Sequence, residues 1–279
     1  MLGVTHELVS DGGSVLSLVI TSLLTDVLYR ERSMIYFLKG NKKKTRVIAH
    51  RGASFLAQRE NTMESFEIAI KLKADMVEFD VRETKDGQLV VFHDSVFNET
   101  PIAWMNYDEM KRAAEASGFE VPLLIDVVKL CHGKIKMDVE IKETGFEAKV
   151  VRLLTENADY KEYSIKSFKD EVVQNVRKLD KHIVTGLLIG KKHATPWRRL
   201  KELFPERRLH DCGADFVSPA YRLIHLSFIR RMHMRGYPVL VWTVNDKKRM
   251  LKLMRMGANG IITDKPDAAL YVRKKYMEG

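Results

Sequence analysis

The stretch RVIAHRGASFLAQRENTMESFEIAIKLKADMVEFDV, residues 46–81, decides how the chain folds. It opens on a short apolar run, Arg46–Ala49, closed by His50. After a loop, Asn61 is the expected N-cap of a helix, with Glu64 three residues on and Met63, Phe66, Ala69 and Ile70 forming an apolar face. A second apolar run, Met76–Asp80, ends the stretch. Strand, helix and strand over so short a span form the unit from which parallel sheets are built.

The same alternation continues outward. Further candidate strands are Ile135–Ile141, Tyr163–Ser167, Val184–Leu188, Asp215–Ser218, Val239–Thr243 and Gly260–Thr263, with Leu89–Phe92 as an extra short run. Helical patterns fall between them: one from near Asp108 to about Gly118, then Phe146–Asn157, Asp170–Leu179, Leu226–Arg235 and Lys247–Met256. Gly257 stands where a helix C-cap is expected. Eight principal strands with intervening helices predict an α/β fold, a (β/α)8 TIM barrel rather than an open doubly wound sheet. The 279 residues suffice for one such barrel, which commonly takes about 250, together with an N-terminal helical extension.

That extension, residues 1–45, is hydrophobic and then basic. Val15 to Leu28 is rich in Val, Leu and Ile but contains Asp26, and it is shorter than the roughly 20 residues needed to span a bilayer. No basic segment precedes it, so it does not read as a cleavable signal peptide. Lys39, Lys42, Lys43, Lys44 and Arg46 follow, as a cytoplasmic juxtamembrane flank would. A membrane-contacting helix, the end of a shortened membrane region and a helix packed on the barrel all fit; membrane contact is favoured. The expected location is the cytoplasm or the cytoplasmic face of a membrane.

A net charge of +10 points to anionic partners, phosphate-bearing molecules or anionic lipid among them. No nucleic-acid-binding module is readable, and aromatic residues do not interleave with the basic runs, so nucleic acid is not expected as a partner. The two cysteines, Cys131 and Cys212, have no metal-like spacing and read as reduced thiols.

In such barrels the side chains at the carboxyl ends of strands line one mouth. In Met76-Val77-Glu78-Phe79-Asp80-Val81, strand periodicity sets Glu78 and Asp80 on one face and the apolar residues on the other. Two neighbouring carboxylates stay ionised only with compensation, and a hard divalent cation supplies it simply. Asp138, Glu140 and Lys142 share a face of a later strand, and a carboxylate beside an ammonium makes a reasonable phosphate cradle. His50 and His93 each close an apolar run, and imidazoles suit both delivery and removal of protons near neutral pH. Asp94 is a candidate orienting partner for His93. Arg51 can take phosphate oxygens bidentately, and Gly52 permits close backbone approach. Trp242 is either a wall of the substrate pocket or part of the outer barrel core.

Taken together, these residues resemble the glycerophosphodiester phosphodiesterase family. His50-Arg51-Gly52-Ala53-Ser54 is similar to its opening motif, followed in order by Glu60–Phe66, Ala74–Val81, Thr84–Asp94, Val139–Lys142, Val241–Asn245 and Gly257–Pro266. The similarity runs from about Arg46 to Leu270, and its ordered, separated motifs are far more specific than any one alone. The resemblance implies a catalytic barrel over 46–279 and hydrolysis of glycerophosphodiesters to glycerol 3-phosphate and an alcohol. It implies a divalent cation, Mg²⁺, Ca²⁺ or Mn²⁺, on Glu78, Asp80 and Glu140. His50 and His93 become the acid/base pair, and Arg51 and Lys142 the phosphate-binding groups. The expected substrate is a small glycerophosphodiester or a lysophospholipid, with contact to a membrane surface through the extension. A lysophospholipase D-like or phosphoinositide phospholipase C-like enzyme and a non-catalytic head-group-binding barrel are the alternatives.

The chain departs from the family pattern twice. Phe55–Arg59 is about one residue longer and lacks a proline. Asn98-Glu99-Thr100-Pro101 replaces an Asp-Arg-Thr element and a glycine-rich loop. Both departures flank the expected mouth, where they bear on substrate choice.

Overall fold

A computed structural model describes residues 45–190, 195–225 and 227–278. The N-terminal extension read from the sequence lies outside them, except for its last residue, Thr45. Among the described residues no helix is long and apolar enough to cross a membrane.

The chain begins with β1 (Arg46–His50), α1 (Met63–Lys71) and β2 (Met76–Glu83). An excursion follows, comprising β3 (Leu89–Val91), β4 (Val96–Phe97), β5 (Thr100–Pro101) and α2 (Tyr107–Ala116), and α3 (Leu124–Cys131) leads back to the barrel. The barrel resumes with β6 (Lys136–Ile141), α4 (Glu147–Asn157), β7 (Tyr163–Ser167), α5 (Asp170–Leu179) and β8 (Val184–Ile189). Two helices, α6 (Pro196–Leu203) and α7 (Glu206–Cys212), precede β9 (Phe216–Pro219). It ends with α8 (Phe228–Met234), β10 (Leu240–Val241), α9 (Lys247–Arg255), β11 (Gly260–Thr263) and α10 (Pro266–Glu278).

Eight of these strands pair in parallel in the order β10-β11-β1-β2-β6-β7-β8-β9. Parallel bridges Val217–Val239 and Ala220–Trp242 join the two ends. The result is the expected (β/α)8 barrel. The extra run at Leu89–Phe92 becomes β3, antiparallel to the far end of β2 and off the barrel path.

Alternation along each strand sorts the core into two compartments. Inside the barrel, Ile48, Met76, Val184, Phe216, Leu240 and Ile262 form one buried cluster against which Trp242 packs. Phe216 occupies the space that a side chain at Gly186 would fill, since a Cβ there would lie 2.2 Å from its ring. On the outer face, Val77, Phe79 and Val81 join the helix-covered core, with the Phe66 and Phe79 rings edge-on at 5.6 Å. Cys131 and Cys212 are free and buried in that outer packing. Burial pushes their thiols up to about 12 and about 11.

One local expectation needs correction. Asn61 does not cap α1; Thr62 does, in a capping box with Ser65. Asn61 instead adopts a left-handed backbone with φ +57, a conformation asparagine tolerates better than most residues. The close approach at Gly52 is to α1, because a Cβ there would lie 2.2 Å from Ser65 Oγ. In the excursion, Asn98 and Glu99 both have positive φ and turn the β4–β5 hairpin, the backbone that a two-residue turn between twisted strands demands. Helices α3, α6, α7 and α10 had no counterpart in the sequence reading. α3 is short and rich in β-branched residues, so its pattern resembles a strand as much as a helix.

Candidate active site

The register of the barrel brings the carboxylates together. His50 pairs with Glu78 across β1 and β2, and Asp80 with Glu140 across β2 and β6. Glu78, Asp80 and Glu140 are all buried and offer oxygens within 4.8 Å of one another. Lys142, just past the end of β6, donates to Asp80 Oδ1 at 3.0 Å and Glu140 Oε1 at 2.7 Å.

The turn after β1 supplies the next groups. Arg51 and Gly52 take positive φ in succession, +54 and +79. The strained Arg51 is held from several sides. Its backbone N–H donates to Glu78 Oε2 at 3.1 Å, and its Nη1 donates to Glu60 Oε1 at 2.6 Å. Nε lies 3.2 Å from Asp80 Oδ2 and makes no hydrogen bond among the described residues. Asn61 Nδ2 donates to Asp80 Oδ2 at 2.9 Å, while its buried Oδ1 has no hydrogen-bond partner among the described residues.

His50 faces Glu78 with Nε2, 3.9 Å from Oε2, and presents Nδ1 to Asp264 Oδ1 at 2.6 Å. Asn245 fixes Asp264 by donating from Nδ2 to Oδ2 at 2.5 Å and accepting the Asp264 backbone N–H at 3.0 Å. His93 follows β3, off the barrel path, and is about one-third exposed. Its ring lies 2.7 Å from Asp94 Oδ1, and Arg82 Nε anchors its carbonyl at 2.9 Å. The neighbouring Phe92 backbone N–H donates to the Asp80 carbonyl at 3.0 Å, tying this segment to β2. Trp242 lies inside the barrel rather than against the helices. Its indole donates to the Ser218 carbonyl at 2.8 Å and meets Phe168 edge-on at 5.5 Å.

Burial would raise all three carboxylates, and their neighbours decide the outcome. Lys166 and His50 bring Glu78 below its usual value; Lys142 and Arg51 bring Asp80 far below. Glu140 remains above, because burial and the charges of Asp80 and Glu78 outweigh Lys142. The histidines diverge. Burial opposes charge on His50, but Glu78 and the Asp264 hydrogen bond raise it above its ordinary value. Burial and Lys142 lower His93.

The donor set fits a hard divalent cation: three buried carboxylates, only oxygen ligands, and the unpaired Asn61 Oδ1 beside them. The sequence reading missed Asn61, Glu60, Asp264 and Asn245. Asp264 carried a usable signal, as a polar residue immediately after the last apolar run.

Residues 50–268 match the Glycerophosphoryl diester phosphodiesterase family. The chain belongs to that family. It is thus a phosphoric diester hydrolase of the glycerophosphodiester phosphodiesterase kind. A glycerophosphodiester phosphodiesterase of Caldanaerobacter subterraneus subsp. tengcongensis is 30% identical over 250 residues, covering 83% of this chain and 99% of that protein. Human lysophospholipase D GDPD1 is 26% identical over 298 residues, covering 89% and 91%. An Oleispira antarctica phosphodiesterase, solved in complex with sn-glycerol-3-phosphate as product, matches with a TM-score of 0.70 at 22% identity. That match covers 82% of this chain and 96% of the other, and it bears on the fold.

Proposed function

We propose that this glycerophosphodiester phosphodiesterase works through Glu78, Asp80 and Glu140 as ligands of one divalent cation, with His50 as proton donor and His93 as proton acceptor. The observation that carries the reading is the buried acidic triad beside a histidine held by Asp264. A cation bound there would polarise a phosphoryl oxygen and offset charge developing in the transition state. The all-oxygen set favours Mg²⁺, Ca²⁺ or Mn²⁺ over softer metals.

The chain's own groups do the rest. Asp264 and Glu78 favour the protonated imidazole of His50, suiting it to protonate a leaving oxygen. His93, pushed toward the neutral form and oriented by Asp94, is suited to take the proton of the attacking hydroxyl. The Arg51 guanidinium, whose buried Nε has no hydrogen bond among the described residues, and the Lys142 ammonium are the donors for the phosphate oxygens. Trp242 forms an apolar wall for the substrate.

The substrate we assign is a small glycerophosphodiester, in keeping with the Caldanaerobacter relative and the product bound to the Oleispira enzyme. A lysophospholipid is the second reading, favoured by the resemblance to human lysophospholipase D GDPD1. Residues 46–279 would then be the catalytic unit, and residues 1–45 would hold it at the cytoplasmic face of a membrane, as the apolar run and basic flank suggest.

Product analysis on glycerophosphocholine, glycerophosphoethanolamine, lysophosphatidylcholine and a phosphoinositide with each of the three ions tests both readings. Release of glycerol 3-phosphate supports the first, lysophosphatidic acid the second, and diacylglycerol from a phosphoinositide contradicts both. Full activity in excess chelator, or in a Glu78→Ala/Asp80→Ala double variant, removes the metal from the scheme.

A further inference from the structure

Beneath the acidic triad the barrel interior holds a charged cluster for which the proposed reaction has no direct use. Lys166 on β7 is 1% exposed. Its ammonium donates to Asp138 Oδ2 at 2.7 Å and lies 3.2 Å from Glu78 Oε1. Ser164 Oγ fixes the other Asp138 oxygen at 2.7 Å. Asp138 and Ser164 are themselves fully buried.

Removing an ammonium and a carboxylate from water costs several kcal/mol for each ion, and a methionine of similar length would fill the same space without that cost. What the ammonium adds is a grip on Glu78. With Lys166 on Oε1 and the Arg51 backbone N–H on Oε2, each oxygen of Glu78 has a fixed neighbour and the carboxylate plane is set. The cluster also balances its own charge, because Asp138 and Lys166 cancel. Asp138 and Lys166 together therefore add no net charge beneath the three carboxylates.

We propose that Lys166, seated on Asp138 and Ser164, is a positioning residue that orients Glu78 and thereby sets the affinity of the barrel for its divalent cation. Conserved net charge makes the idea testable. In Asp138→Asn/Lys166→Gln both charges vanish together and an amide pair of similar size remains, so the net charge of the cluster stays at zero. This inference rests on Glu78 being a metal ligand, and the experiment separates the two claims.

Mn²⁺ is titrated calorimetrically into the metal-free full chain, wild type and variants, with Tm recorded for each metal-free protein. The expected result for Asp138→Asn/Lys166→Gln is a Mn²⁺ Kd weaker by about tenfold to a hundredfold, the range typical of groups that orient metal ligands, with Tm retained. Ser164→Ala, a milder change, should weaken binding in the same direction by a smaller factor, and it decides the matter if the double variant does not fold. An unchanged Kd in a folded variant overturns the inference and leaves the cluster as an ion pair of the barrel interior. Glu78→Gln is the control. If it binds Mn²⁺ like the wild type, or the wild type binds none, the ligand assignment fails and takes the inference with it.

Discussion

His50 and His93 illustrate how surroundings divide labour between identical side chains. His50 sits between two carboxylates, Glu78 and Asp264, and is raised; His93 lies partly buried near Lys142 and is lowered. If His50 acts protonated and His93 neutral, activity requires a pH above the His93 value and below the His50 value. The expected profile of kcat/KM is a bell. His93→Gln should lower kcat by about 10² to 10⁴ and abolish the acidic limb, and His50→Gln should abolish the alkaline limb. Glu140 makes a second prediction. Its raised pKa means that a cation must displace a proton from it at low pH, so metal affinity should fall as pH drops through that value, by about tenfold per pH unit. In Glu140→Gln, calorimetry in buffers of differing ionisation enthalpy should show binding that is weaker and no longer coupled to that proton. That His50, Glu78, Asp80 and Glu140 gather in one place was readable because strand alternation fixes which side chains share a face. Asn61 was not, because its Asn-x-x-Glu spacing imitates a capping box lying one residue away from the real one at Thr62 and Ser65.

The β1–α1 turn is the element whose geometry matters most to the site. Gly52 has φ +79 and no room for a Cβ beside Ser65, so Gly52→Ala should strain the turn and separate it from α1. We expect Tm to fall and activity per folded molecule to drop, since Arg51 and Asn61 hang on the same turn; thermal melts and turnover on the folded fraction would show both. The barrel strands themselves were legible because parallel strands are buried on both faces and read as apolar runs. The excursion between β2 and β6 was less so. Its own small core of Val90, Phe97, Ile102, Met110, Ala114 and Val121 draws on a hairpin, a single turn and a helix, none with a long period of its own. The outer face of β2 is simpler to forecast: Phe79→Ala should cost about 3 to 5 kcal/mol in chemical denaturation, because the ring is fully buried against Phe66.

Across the whole molecule, the proposed machinery is gathered from both ends of the barrel sequence. The proposed metal carboxylates come from β2 and β6, whereas His50 on β1 meets its aspartate across the β1–β11 pairing. That pairing between the first and last strands has a consequence for the life of the chain. The acidic triad draws on β2 and β6, but His50 takes its proton-holding partner from Asp264, just past β11. A chain whose ring has not closed would lack the Asp264 contact that favours the proton on His50. Turnover should lag the recovery of helical and strand signal in a refolding time course. Closure of the ring between β1 and β11 is thus what joins the acidic triad to the aspartate beside His50.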